Sequence, residues 1–154
     1  MITPGTKAPD FTLTSDEGQA IRLSALKGRP VVLYFYPKDD TPGCTKEACS
    51  FRDAWADVRE TGAALFGISP DGPTSHQQFR AKYRLQFPLL SDPDHAVAAA
   101  YGAWGEKSMY GRRYEGILRT TFVIDGTGVV RRVFEKVKPD GHADQVLAAI
   151  RELY

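Results

Sequence analysis

Apolar residues run without a polar break from Val31 to Tyr36 and again from Ala64 to Ile68. Neither run alternates, which predicts strands covered on both faces. Between them, Cys44, Ala48, Phe51, Trp55 and Val58 recur every three or four residues. That spacing predicts a helix from about Pro42 to about Thr61, closed by Gly62. Strand, helix and strand at this length make a βαβ unit with parallel strands and a right-handed crossover. Upstream, Phe11–Leu13 and Ile21–Leu23 flank Ser15-Asp16-Glu17-Gly18 and predict a hairpin. Ser24–Gly28 allows at most one helical turn. Downstream, Pro73 precedes Thr74, a candidate cap for a helix carrying Phe79 and Tyr83. Phe87–Leu90 is a short apolar segment, and Asp92-Pro93 predicts a helix with Asp92 as its N-cap and Val97 and Tyr101 inward. Residues 102–116 hold four glycines and predict irregular chain. Thr120–Ile124 and Val129–Phe134 predict a second hairpin, and Ala143, Val146, Leu147, Ile150 and Leu153 predict a last amphipathic helix.

The order of these elements predicts a thioredoxin-like α/β domain over residues 1–154. It has an N-terminal β-hairpin extension and a central mixed sheet flanked by helices. In open α/β sheets, chemistry gathers beyond the C-terminal ends of the strands. The end of the first buried strand leads into Tyr36-Pro37-Lys38-Asp39-Asp40-Thr41-Pro42-Gly43-Cys44. Cys44 therefore falls in the first turn of a helix, where free N–H groups and a partial positive charge favour an anion. A free thiol has a pKa of ~8.5, and helix N-termini with cationic neighbours can lower it to roughly 3.5–7.5. A reactive thiol is expected.

Cys49 lies five residues on, roughly 140° around the helix, on the flank of Arg52, Asp53 and Ala56. In an intact helix the two Cα atoms are about 8–9 Å apart, beyond the ~7 Å that a disulfide tolerates. The pair can bond only if the first turns unwind, which suits a transient bridge and not a permanent one.

Composition narrows the function. Lys and Arg total 20 against 19 Asp and Glu, a net charge of +1, so nothing points to nucleic acid or an anionic membrane. No apolar run nears the ~20 residues a membrane helix needs. Met1–Gly5 lacks a charged region followed by an apolar core, so a cytoplasmic protein is expected. In a reducing compartment two cysteines read as redox or metal groups before a structural bridge. His76, His95 and His142 have no metal-ligand spacing to one another and are expected as ordinary surface histidines, with no metal and no cofactor. Glu47 is expected to complement the helix dipole.

Pro37-x-x-x-Thr41-x-x-Cys44 resembles the active-site signature of the peroxiredoxins. The fuller Thr41-Pro42-Gly43-Cys44-Thr45-x-x-x-Cys49, with Trp104-Gly105-Glu106-Lys107 and Gly116-Ile117-x-Arg119, resembles the subfamily called PrxQ or bacterioferritin comigratory protein. The resemblance runs from Lys7-Ala8-Pro9-Asp10-Phe11 to the last strand. It implies a thioredoxin-dependent, atypical 2-Cys peroxidase active on hydrogen peroxide and organic hydroperoxides. Cys44 becomes a sulfenic acid, Cys49 resolves it as an intramolecular disulfide, and a thioredoxin-type dithiol reduces that bond. Arg119 is, by resemblance, the residue that favours the thiolate and holds the peroxide. Thr41 supplies a hydroxyl, and Gly43 and Cys44 supply backbone N–H groups. Pro42 fixes the backbone and can shield the sulfur, and Pro37 aims the loop. An internal resolving cysteine needs no second subunit, so a monomer is expected.

Two other activities remain in view. A thiol–disulfide oxidoreductase on this fold wants Cys-x-x-Cys at the helix start, and here four residues intervene. A copper-delivery protein wants cysteines three apart with a histidine as third ligand, which this spacing does not offer. An inert thioredoxin-like interaction module would show Cys44 no more reactive than a free thiol. Trp104 to Lys107 reads either as a flap at the substrate entrance or as a packing anchor.

Overall fold

The structure is a computed structural model and describes residues 1–153. Its main sheet has seven strands in the order β2-β1-β5-β4-β3-β8-β9. The strands are β1 (Thr12–Ser15), β2 (Ala20–Arg22), β3 (Val31–Phe35), β4 (Ala64–Ser69), β5 (Leu89–Ser91), β8 (Thr120–Ile124) and β9 (Val130–Phe134). β3, β4 and β5 run parallel, and β8 lies antiparallel to β3 with Phe35 opposite Thr120. A mixed sheet and the expected thioredoxin-like order are thus present, extended by the β1–β2 hairpin. A single turn of 3₁₀ helix covers Leu23–Leu26.

The missing alternation in β3 has a direct cause. Val32, Tyr34 and Tyr36 face a core shared with α1 (Pro42–Asp53), α2 (Trp55–Glu60), α3 (Pro73–Tyr83) and α5 (His142–Arg151). Val31, Leu33 and Phe35 face a second core, closed by Ala98 and Tyr101 of α4 (Ala96–Tyr101). With two apolar layers, every residue of β3 is buried.

Four local expectations are corrected. The helix after β3 is two helices, parted at Ala54 (φ −95°, ψ 4°). That backbone is close enough to helical to keep Phe51, Trp55 and Val58 in phase, so the apolar period does not register the break. Gly62 follows α2 with φ +82°, as a C-terminal glycine should. Helix α3 starts at Pro73 behind Gly72, and Thr74 caps nothing. Helix α4 starts behind His95, not at Pro93, yet the Asp92 carboxylate still accepts from the Val97 and Ala98 N–H groups at 3.2 and 2.9 Å. Residues 102–116 are not irregular: β6 (Trp104–Met109) and β7 (Arg112–Ile117) form a separate antiparallel hairpin. Its turn places Tyr110 and Gly111 at φ 52° and 77°, the two positive values of a tight hairpin turn. Its strands are largely exposed, so no buried face imposes an alternating pattern.

Candidate active site

β3 ends at Phe35, and Pro37 to Thr41 carry the chain beyond the C-terminal end of that strand into α1. Thr41 sits at the N-cap with extended backbone and Pro42 at the first helical position. The Thr41 hydroxyl does not cap the helix; it donates to the Lys38 carbonyl at 2.9 Å. The first helical bond runs from the Thr45 N–H to the Thr41 carbonyl at 2.8 Å. Among the described residues the Gly43 and Cys44 N–H groups have no acceptor, as the head of a helix dictates.

Cys44 is 1% exposed, at the top of the α1 apolar stripe. Arg119 stands immediately before β8, which pairs with β3, and reaches back across the strand ends. Its Nη2 donates to Cys44 Sγ at 3.2 Å, and its Nη1 donates to Glu47 Oε1 at 2.7 Å. A Cβ on residue 43 would lie 3.3 Å from Arg119 Nη2, so glycine there leaves the guanidinium its approach. A guanidinium on sulfur favours negative charge on that atom. Burial works against the Arg119 charge, but Glu47 and Cys44 outweigh it and raise its pKa.

Glu47 departs from expectation. It is fully buried and not a surface partner of the helix dipole. It sits one turn after Cys44 on the same helix face, and the i, i+3 spacing is the signal that could have placed it there. Burial pushes its pKa up to about 7, although Arg119 pulls the other way. One carboxyl oxygen is bonded to Arg119, while Oε2 is buried with no partner among the described residues. Lys107 of β6 also senses this cluster. Burial, and then Arg119, push its pKa down, while Cys44 pulls it up.

Cys49 is half-buried in mid-α1, still a free thiol, as is Cys44. Burial, with Asp53 adding to it against Arg52, raises its pKa. The structure thus brings Cys44, Gly43 and Arg119 into one cluster. Cys49 stands apart on the flank. Pro37 is half-buried beside the loop and Pro42 is exposed at the helix head.

The histidines are not ordinary surface groups. His76 and His142 are fully buried, and His95 stacks on Trp104 with ring centroids 3.6 Å apart. The stack makes Trp104 a packing anchor. His142 bonds Thr121 through Nε2 at 2.7 Å, and burial lowers its pKa. Among the described residues no group of His, Cys, Asp and Glu is arranged to hold a metal. Among the described residues no helix is long and apolar enough to cross a membrane.

The sequence profile of the AhpC/TSA family matches residues 4–133. A putative peroxiredoxin bcp of Coxiella burnetii is 52% identical over 149 residues, covering 97% of this chain and 99% of that one. Peroxiredoxin Bcp of Bacillus subtilis is 44% identical, covering 99% and 97%. Among solved structures, bacterioferritin comigratory protein of Xanthomonas campestris, described for its alkyl peroxide reduction activity, superposes with a TM-score of 0.91. It shares 39% identity over 98% of this chain and 99% of its own. A cysteine-to-serine mutant of PrxQ from Xylella fastidiosa gives a TM-score of 0.93 at 32% identity over 99% and 98%.

Proposed function

The chain belongs to the AhpC/TSA family, among its Bcp/PrxQ-type peroxiredoxins, and on that footing we propose that Cys44 is the peroxide-reducing thiol and Cys49 its resolving partner. The observation that carries the assignment is the Arg119 guanidinium bonded at once to Cys44 Sγ and to buried Glu47. It fixes a cation beside the one thiol at a helix N-terminus.

The Cys44 thiolate attacks the terminal oxygen of a hydroperoxide. The S–O bond forms, the O–O bond breaks, and the departing oxygen leaves as water or alcohol once it has taken the peroxide proton. Arg119 and the open Gly43 and Cys44 N–H groups lie where charge develops on the oxygens. The Thr41 hydroxyl spends its proton on Lys38 and keeps its lone pairs for the peroxide O–H. We assign Pro37, Pro42 and Gly43 to substrate binding, in the loop ahead of Cys44 and at the head of α1. The sulfenic acid then reacts with Cys49: an S–S bond forms and water leaves. With both cysteines in one helix, α1 must unwind first. A thioredoxin-type dithiol restores the thiols by exchange, taking the disulfide upon itself. The cycle needs no cofactor and no second copy of the chain, so we assign hydrogen peroxide and organic hydroperoxides to a single-domain cytoplasmic monomer.

The test is stopped-flow tryptophan fluorescence of the reduced protein mixed with hydrogen peroxide, for wild type, Cys44→Ser and Cys49→Ser. Trp55 begins α2 and packs on Phe87, so it reports movement of the helix before it. The expected result is a fast change in wild type, none in Cys44→Ser, and arrest at a sulfenic acid in Cys49→Ser. Peroxide consumption by wild type at the rate of a free thiol would overturn the assignment.

A further inference from the structure

Behind the reactive loop lies a buried polar cluster that the peroxidase reading does not use. Asp39, two residues before Thr41, is 7% exposed, and His76 in α3 is 0% exposed. The Asp39 carboxylate accepts from Tyr36 OH at 2.6 Å and Ser75 OH at 2.8 Å, and it meets His76 Nδ1 at 2.7 Å. His76 Nε2 faces the Leu90 carbonyl at 3.0 Å. Both ring nitrogens are thus engaged, one by the Asp39 carboxyl and one by a backbone carbonyl. The Asp39 N–H donates to Asp71 Oδ2 at 2.7 Å, and Ser69 OH holds the same oxygen at 2.8 Å. Next in the chain, Asp40 is held at φ +55°, a left-handed conformation that few L-residues adopt, by Lys82 and Tyr83 of α3 at 2.7 and 2.8 Å.

A buried polar cluster is a poor way to fill space, since apolar groups of the same volume often serve stability as well or better. What it supplies is a fixed direction. These bonds tie one short loop to Tyr36 just past β3, to α3, through Asp71 to Ser69 of β4, and through His76 to Leu90 of β5, just ahead of Thr41 and the open N–H groups of α1. We propose that Asp39 and His76 are positioning residues of the peroxide step. They hold the 37–41 loop so that Thr41 and the head of α1 stand in register with Arg119, and they remain in place when α1 unwinds. This role rests on the peroxidase reading above.

Two substitutions at one position separate positioning from mere support. Asn places its amide nitrogen near His Nδ1 and can keep the Asp39 bond. Gln places its nitrogen near Nε2 and can keep the Leu90 bond instead. The measurement is the rate constant for Cys44 oxidation by hydrogen peroxide, with Tm and the rate of disulfide reduction by dithiothreitol alongside. H76N is expected within about threefold of wild type. H76Q is expected to lose about tenfold or more, because small misplacements of reacting groups carry such factors. Both should lower Tm, and disulfide reduction should be unchanged. If H76Q does not fold, Y36F removes a single donor to Asp39 and should lose about threefold or more in the peroxide step alone. Equal losses in H76N and H76Q, or losses that follow Tm, would overturn the positioning role with the peroxidase intact. A wild type inert to peroxide would overturn the reading beneath it.

Discussion

Two carboxyl groups are buried within eight residues of each other, and they are held very differently. Asp39 has both oxygens occupied, by Tyr36, Ser75 and His76. Glu47 has one oxygen on Arg119 and the other on nothing described. An unpartnered buried acceptor costs about 1–3 kcal/mol, whereas a satisfied one is close to neutral. The loop before the helix is therefore anchored, while the head of the helix carries a penalty that its own unwinding would relieve. The chain joins a fixed support to a segment prepared to leave it. The break at Ala54 ends that segment, so the part that must open between Cys44 and Cys49 is separate from α2.

The largest way to break this contrast is to remove Arg119. Arg119→Leu leaves Glu47 buried without its cation, which should cost about 3–5 kcal/mol in urea denaturation. Peroxide reduction should fall about 10²–10³-fold, the scale for loss of one oxyanion donor. Adding Glu47→Gln should recover much of the stability and none of the rate. Equal recovery of both would mean that Arg119 acts only through the fold.

Next comes pH. The folded-state pKa of Glu47, about 7, lies above its 4.5 reference, so the folded protein holds this proton more tightly than the unfolded chain. The stability it brings is complete below pH 4.5 and is lost as the pH climbs to about 7. Glu47→Gln should therefore gain on wild type across that window, by on the order of 3 kcal/mol. Thermal denaturation of the reduced proteins at several pH values reads this directly, and parallel curves would contradict it. The smallest effect is expected at Lys46, which pairs with Asp140 at 2.8 Å with both side chains mostly exposed. Lys46→Ala should change stability by less than about 1 kcal/mol, since exposed pairs hold little.

The βαβ core, the β1–β2 and β8–β9 hairpins and the amphipathic helices were legible because burial on one face or on two orders the apolar residues along the sequence. Cys44, Gly43 and Arg119 were singled out through the family motif, and they lie in one cluster. The β6–β7 hairpin was not, because its exposed faces leave the sequence free of alternation and its turn uses Tyr110-Gly111. Glu47, Asp39 and His76 were misread or passed over for a common reason. A charged residue is assigned to the surface unless its partner is known, and here the partners lie 72 and 37 residues away in sequence.

The most direct test of a fixed loop joined to a leaving helix is amide hydrogen exchange before and after one equivalent of hydrogen peroxide, with no reductant present. The account predicts a Cys44–Cys49 disulfide, loss of protection in α1 up to Ala54, and retained protection at Asp39 and in α3. Consumption of the equivalent with α1 still protected, or with the Asp39 amide opened as fully as the helix, would contradict it.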